Sequence, residues 1–357
     1  MPIRPTPRKP LRILMLGGTG FLGPHTVEAA IARGHTVTLF NRGITEDRKG
    51  GIFPDLEKRY GNRDPEKHAD EKDPTSPKGL TELREGEWDA VVDTSGYVPR
   101  IVRASASLLA PRCGQYLFIS SVSVYKSDTV KGADESDPVG TISDPSVETM
   151  GASFENYGPL KALCEQEAEK AFPGRATNIR PGLIVGPTDN TDRFTYWPVR
   201  VREGGDVLAP GAPDNPVQWV DVRDLGEWII ECLERRAFGV FNAICEPTGI
   251  GSLLQACKSV SGSDARFVWA TPEKLREHNV SAWSDMPMWL PSEGEYLHAN
   301  TRSNARAVKA GLKFRPAEKT IEDTLAWWDT LPAERRAKTR AGISREREAQ
   351  VVKAIKG

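Results

Sequence analysis

The stretch LMLGGTGFLGPH, residues Leu14–His25, decides the fold that this chain is expected to adopt. Its glycines at positions 17, 20 and 23 stand between a short apolar segment and a helical pattern. This spacing lets the backbone approach a pyrophosphate while the N-terminus of the helix faces the negative charge. Pro24 falls in the first helical turn, where its missing N–H is tolerated. The stretch predicts a dinucleotide-binding strand–turn–helix unit, and the alternative is a tight turn in another kind of α/β protein.

Strands and helices are expected to alternate on either side of this loop. Apolar runs predict strands at 12–16, 36–40, 88–93, 115–120 and 177–180, and helical patterns follow the loop and recur at 100–109 and 157–171. This alternation predicts an α/β fold, a Rossmann-type doubly wound parallel sheet over residues 11–186, to which some later segments return. Residues 187–331 are expected to form a smaller C-terminal substrate lobe, and residues 332–357 a charged helical tail.

The composition argues against several kinds of partner. The 357 residues include 48 basic and 49 acidic side chains, so no global field would attract nucleic acid or an anionic membrane. No apolar run is long enough for a membrane span or a signal peptide, which predicts a cytoplasmic protein. Export of a longer precursor is compatible with the same sequence. The five cysteines include no CxxC pair, and no metal site is expected.

The end of the second predicted strand bears on the choice of nucleotide. An acidic residue there would accept hydrogen bonds from the ribose 2′-hydroxyl of NAD. This chain instead has Asn41 and Arg42, and an arginine can pair with the 2′-phosphate of NADP. NADP(H) is therefore favoured. NAD(H) is the alternative if Arg42 is only a surface charge in the turn before Gly43.

Tyr157 and Lys161 are four residues apart in a predicted helix, which puts the phenol and the ammonium on one face. A phenol has an ordinary pKa near 10, and a nearby cation stabilises the phenolate and lowers that pKa. The two side chains are thus a candidate acid–base unit, and the alternative is an exposed helix pair. Pro159 lies between them, so Tyr157 is expected near the start of the helix.

Three motifs together resemble a known family. GGTGFLG (17–23), SSVSVY (120–125) and YGPLK (157–161) resemble, in order and spacing, the extended or atypical short-chain dehydrogenase/reductases, the NAD-dependent epimerase/dehydratase family. The resemblance covers about residues 11–245. It implies that Tyr157 is the general acid/base and that Lys161 holds the nicotinamide ribose and lowers the pKa of Tyr157. It also implies that Ser121 hydrogen-bonds the reacting oxygen, with Ser123 as the alternative.

The resemblance also indicates which residues line the sites. RPGLIVGP (180–187) is similar to the segment beside the nicotinamide, whereas DTSGY (93–97) departs from the small Asn/Ala-type segment of the family. The expected cofactor-binding residues are Gly17, Thr19, Gly20, Phe21, Leu22, Gly23, Asn41, Arg42, Thr94, Ser95, Gly96, Lys161, Pro181 and Gly182. Ser123, Phe194 and Trp197 are expected to contact the substrate. For the two aromatic residues, the alternative is the core of the lobe.

The implied function is hydride transfer at a hydroxyl or carbonyl carbon of a sugar, nucleotide-sugar or similar metabolite. Epimerisation or dehydration returns the hydride, whereas a reductase releases a changed cofactor, and the NADP preference favours the reductase. The alternatives are an RNA-binding protein on the same fold, which GGTGFLGPH also resembles, and an NADP sensor without turnover. The expected partner is a small molecule, with no nucleic acid and no membrane, and the resemblance implies a homodimer.

Overall fold

Seven parallel strands form the central sheet of this computed structural model, which describes residues 9–44, 51–144 and 146–357. From one edge to the other they are β3 (Glu57–Tyr60), β2 (Thr36–Asn41), β1 (Arg12–Leu16), β4 (Trp88–Asp93), β5 (Cys113–Ile119), β6 (Ala176–Pro181) and β11 (Gly239–Ala243). In β1, Ile13 lies opposite Val37 of β2 and Ala90 of β4. The predicted Rossmann-type sheet is confirmed, and β11 returns to it from late in the chain.

Three pairs of short strands lie outside this sheet. They are β7 (Leu183–Val185) with β10 (Trp219–Asp221), β8 (Asp206–Pro210) with β13 (Arg266–Ala270), and β9 (Pro216–Val217) with β12 (Thr248–Gly249). The helices of the described residues are α1 (Leu22–Ala32), α2 (Pro99–Leu109), α3 (Tyr157–Ala171), α4 (Tyr196–Arg202), α5 (Val222–Arg235), α6 (Ile250–Ser261), α7 (Pro272–Glu277), α8 (Ala305–Lys309), α9 (Ala317–Asp329), α10 (Ala333–Arg336) and α11 (Arg345–Lys356). None of the helices in the described segments is long and apolar enough to cross a membrane.

Both faces of the central sheet are covered, which explains why its inner strands β1, β4 and β5 are largely apolar, whereas the edge strand β3 (EKRY) is polar. In β1, Ile13 and Met15 pack against the face that carries α1 and α5, including Trp228. Leu14 and Leu16 point to the other face, where α2 and α3 pack. Because side chains alternate along a strand, these four consecutive residues serve two hydrophobic cores. The sheet is thereby fixed as a rigid platform.

The C-terminal lobe has a core of its own. Large buried aromatic side chains dominate it, namely Phe194, Tyr196, Trp197, Trp289 and Trp328. Helix α11 packs Val351 and Val352 into this core. Glu348 of α11 is buried and accepts from Arg200 Nε at 2.5 Å. The charged C-terminal segment is thus tied to the lobe by apolar contacts and by a buried ion pair.

Candidate active site

A cleft of about 1670 Å³ opens at the carboxyl ends of the central strands. The strand order reverses between β1 and β4, and open α/β sheets bind ligands at such a point. Residues that follow both strands line the cleft. Most of the residues expected from the sequence line it, namely Gly17, Thr19, Gly20, Phe21, Leu22, Gly23, Asn41, Arg42, Thr94, Ser95, Ser121, Ser123, Tyr157, Lys161, Pro181 and Gly182. Gly96 lies beside it and accepts a hydrogen bond from Lys161.

The glycine loop forms one wall of the cleft. Helix α1 begins at Leu22, within the GGTGFLG segment, and its first residues line the cleft, so its N-terminal N–H groups lie on the cleft side of the sheet. A Cβ at Gly23 would lie 2.5 Å from the carbonyl oxygen of Gly17, so only glycine allows this close approach of helix and loop. The Thr94 hydroxyl donates to the carbonyls of Leu16 and Gly17 and ties the loop to the end of β4.

Arg42 lines the cleft just after β2. Its side chain is exposed, and it forms no ion pair or hydrogen bond with any residue that the structure describes. Asn41 precedes it on the wall of the cleft. The cleft therefore presents a cation where the sequence predicts recognition of the 2′ position of the adenosine ribose.

Tyr157 and Lys161 project from the first turns of α3. The helix begins at Tyr157, so Pro159 falls in its first turn, as the sequence requires. The Lys161 ammonium donates to Ile119 O at 2.5 Å and to Gly96 O at 2.7 Å. It also lies 4.2 Å from the centroid of the Phe118 ring. Burial lowers the pKa of Lys161 to about 8.

The SSVSVY segment meets α3 at its first turn. A Cβ at Gly158 would lie 1.9 Å from Ser123 O, so glycine is required where the helix packs against this segment. This contact brings Ser121 next to Tyr157. Ser121 Oγ also donates to Ser123 Oγ at 3.1 Å and accepts from the Ser123 N–H. Both predicted serines therefore line the cleft, and Ser121 is the one that interacts with the tyrosine.

The groups that shift the pKa of Tyr157 differ from the sequence-based expectation, which assigned this effect to Lys161. Burial raises the pKa of the phenol, and an interaction with Ser121 and the charge of Arg193 oppose that rise. Lys161 is not among the groups that shift the pKa of Tyr157, and its ammonium donates instead to two backbone carbonyls. The positive charge that favours the phenolate is that of Arg193, which also lines the cleft and which the sequence motifs did not identify.

Phe194 and Trp197 do not reach the cleft, and their predicted contact with the substrate is wrong. Both side chains are fully buried in the lobe core, and Trp197 Nε1 donates to Pro287 O at 2.8 Å. Neither ring has a free face on which a sugar could stack. Among the described residues, the aromatic side chains that line the cleft and are exposed are instead Tyr97, Phe154, Trp283 and Tyr296.

A buried ion pair beneath the cleft was also missed by the sequence analysis. Arg63 follows β3 and forms two hydrogen bonds with Asp93, at 2.6 and 2.7 Å. The same guanidinium donates to Ser95 and Ser105, and the Tyr116 hydroxyl donates to Asp93 at 2.7 Å. The pKa of Asp93 is lowered by Arg63 and Tyr116 against a large opposing effect of burial. This network fixes the turn after β4 that lines the cleft.

Comparison with known proteins identifies relatives of the whole sheet domain. The model of the NAD dependent epimerase/dehydratase family matches residues 13–243. The chain is also similar to the chloroplast stem-loop binding protein of 41 kDa b of Arabidopsis thaliana, with 27% identity over 261 residues. That alignment covers 70% of this chain and 63% of the plant protein, so it spans less than two-thirds of the relative's length.

Two solved structures share the fold. The Bordetella bronchiseptica enzyme WbmG, in complex with NAD and UDP, superimposes with a TM-score of 0.64 and 16% identity, covering 96% of this chain and 99% of that one. The human epimerase family protein SDR39U1, with NADPH, superimposes with a TM-score of 0.57 and 17% identity, covering 90% of this chain and 100% of that one. These similarities extend beyond the sheet into the C-terminal lobe.

Proposed function

Because this chain belongs to the NAD dependent epimerase/dehydratase family, we propose that it is an NAD(P)-dependent oxidoreductase or epimerase. It acts at a hydroxyl or carbonyl carbon of a sugar, nucleotide-sugar or similar metabolite. The observation that carries the proposal is that Tyr157, Ser121 and Lys161 line one cleft, which begins at the glycine loop. Together they offer a proton carrier, a hydrogen-bond donor for the reacting oxygen and a positive charge.

The residues of the cleft fit a dinucleotide phosphate. The glycine loop and the N-terminus of α1 would hold the pyrophosphate, Arg42 the 2′-phosphate and Lys161 the nicotinamide ribose. The cleft volume of about 1670 Å³ exceeds the roughly 300–1,000 Å³ of a usual ligand pocket, which leaves room for a second small molecule. When bound, the nicotinamide supplies or accepts the hydride.

Tyr157 would move the proton in this reaction. Since burial raises its pKa, the phenol stays protonated at neutral pH and can donate to a carbonyl oxygen. The Ser121 hydroxyl would hydrogen-bond the same oxygen as negative charge develops on it. Lys161 lines the cleft, and its ammonium donates to two backbone carbonyls, so its third N–H would be the donor for the ribose hydroxyls. This chemistry serves both a reductase and an epimerase.

Two relatives bear on the cofactor and the substrate. The structure of WbmG contains NAD and UDP, and that of human SDR39U1 contains NADPH. A nicotinamide dinucleotide is therefore supported, and Arg42, which forms no ion pair with a described residue, favours NADP(H) over NAD(H). An exchangeable NADP(H) is typical of net reduction or oxidation, so we propose a reductase rather than a redox-neutral enzyme.

The first experiment is to denature the purified protein and identify any released nucleotide by mass spectrometry. We expect no retained NAD, and we expect NADPH to bind to the empty protein more tightly than NADH in calorimetric titrations. Tightly retained NAD would instead indicate a redox-neutral epimerase or dehydratase. A protein that neither holds nor binds a nicotinamide nucleotide would contradict the proposed function.

Replacing Arg42 with Gln is expected to weaken NADPH binding about 10- to 100-fold, because a charge-assisted hydrogen bond contributes roughly 1.5–3 kcal/mol. Affinity for NADH should change less than about twofold, since NADH has no 2′-phosphate. Calorimetric titration of both nucleotides measures the two effects. Arg84→Gln, at an exposed arginine outside the cleft, is the matched control. If NADH binding were weakened equally, Arg42 would bind a group that both nucleotides share.

The 27% identity with a chloroplast stem-loop binding protein favours RNA binding as a second candidate function. Against it, two arginines of the basic C-terminal segment are already engaged, Arg335 with Asp192 and Arg340 with the backbone of Asn190. Filter binding of a stem-loop RNA between 50 and 200 mM salt discriminates the candidates. Phosphate-directed binding would weaken by about 10³- to 10⁵-fold over that range.

A further inference from the structure

Arg193 is a cation of the cleft that the family motifs do not include. It follows β7 in the loop that leads into α4, and it lines the cleft together with Tyr157. None of the described carboxylates lies within 4.0 Å of its guanidinium. Other arginines buried in the fold, such as Arg63, Arg180 and Arg200, each pair with a carboxylate. Arg193 is therefore a partly buried cation with unused hydrogen-bond donors.

The orientation of this guanidinium is fixed from two sides. Its Nε donates to Thr191 Oγ1 at 3.1 Å, and the carboxylate of Asp189 in turn accepts from the Thr191 hydroxyl and N–H. Its Cζ lies 5.7 Å from the centroid of the Trp283 ring, within the range of a cation–π contact. The two terminal nitrogens form no hydrogen bond with the described residues. They are thus the donors left for a ligand.

The C-terminal segment holds the loop that carries Arg193. The carboxylate of Asp192 is fully buried and accepts from Arg335 Nη2 at 2.6 Å and from the Arg340 N–H at 2.7 Å. Arg340 Nη1 also donates to Asn190 O at 2.8 Å. Since a positioned side chain loses less entropy on binding, this anchoring prepares Arg193 for a ligand.

We propose that Arg193 binds an anionic group of the substrate, a carboxylate or a phosphate, next to Tyr157. The two free nitrogens of a guanidinium match two oxygens of either group. Trp283 covers one face of the guanidinium and is itself partly exposed, so it also offers a surface for the sugar ring. The substrate class is accordingly an acidic or phosphorylated sugar derivative. This inference rests on the proposed function.

The test measures binding of glucose 1-phosphate, glucuronate and glucose by calorimetry, with NADPH present at saturation. The wild-type protein should bind at least one of the two anionic sugars about tenfold or more tightly than glucose, as expected for a charge-assisted pair. Comparing the affinities for glucose 1-phosphate and glucuronate shows whether the site prefers a phosphate or a carboxylate. Arg193→Gln should abolish the preference, and Arg193→Lys should retain only part of it, because lysine offers no planar fork.

Three further measurements keep the result interpretable. Arg266→Gln, at an exposed arginine outside the cleft, should keep the preference. Thermal melting checks that Arg193→Gln is folded; if it is not, Thr191→Val frees Nε while retaining the charge and should reduce the preference by itself. No preference in the wild type, or an unchanged preference in folded Arg193→Gln, would overturn the inference.

NADPH affinity, measured in the same series, separates this inference from the proposed function. If NADPH binds and no anion preference exists, only the role of Arg193 is wrong. If NADPH does not bind, the proposed function fails, and titrations of the anionic probes without nucleotide still report on Arg193.

Discussion

Replacing Tyr157 with Phe is expected to lower kcat about 10²- to 10⁴-fold, the usual contribution of a positioned general acid–base group. Tyr157 is the residue to which we assign proton transfer, and phenylalanine has no hydroxyl that could carry the proton. The ring remains, so packing against Ser121 and Tyr97 is retained. NADPH affinity should therefore change by less than about twofold. Steady-state kinetics and calorimetric titration measure the two quantities.

Tyr196→Phe is the matched control for this variant. The Tyr196 hydroxyl is buried in the lobe and has no hydrogen-bond partner among the described residues, so its removal should leave kcat unchanged. The pH profile adds a second readout. Burial raises the pKa of Tyr157, so in the wild type the fall of kcat for reduction at alkaline pH should begin above neutral pH. This fall should be absent in Tyr157→Phe. A variant with wild-type kcat would assign proton transfer to another group.

Replacing Arg63 with Met is expected to lower the free energy of unfolding by about 3–5 kcal/mol, the usual effect of breaking one buried ion pair. The Asp93 carboxylate would be left fully buried with only Tyr116 and the Ser95 N–H as donors. Chemical denaturation measures the loss. Arg103→Met removes a bidentate but exposed pair with Glu167, so it should cost less than about 1 kcal/mol.

The pH dependence of this loss has a definite sign. The native pKa of Asp93 is lowered, so its contribution is present above the unfolded value of about 3.9 and is lost as pH falls through the native value. The difference in the free energy of unfolding between the wild type and Arg63→Met should therefore become smaller at acidic pH. The double variant Arg63→Met with Asp93→Leu should recover part of the stability at neutral pH. A double variant no more stable than Arg63→Met would contradict this account.

The sequence by itself determined the five inner strands of the sheet and many residues that line the cleft, whereas the edge strands β3 and β11 were not predicted. Strand β4 at 88–93 and helix α3 at 157–171 lie where periodicity predicts them, because alternation and helical spacing are local properties. The glycine loop is equally local, since its spacing allows the close approach seen at Gly23. The spacing of Tyr157 and Lys161 likewise puts both on one helix face that lines the cleft.

Only the tertiary structure decided which polar and aromatic side chains meet. Arg63 and Asp93 are 30 residues apart, and Asp192 and Arg335 are 143 apart, so no local pattern signals either pair. The aromatic residues show the same limit: Trp197 is buried in the lobe, whereas Trp283 lines the cleft. Hydrophobicity predicts that an aromatic ring will be buried, but the packing of distant elements determines which ring stays at the surface of a site. The chemistry of the cleft thus combines local motifs with partners that only the folded chain brings together.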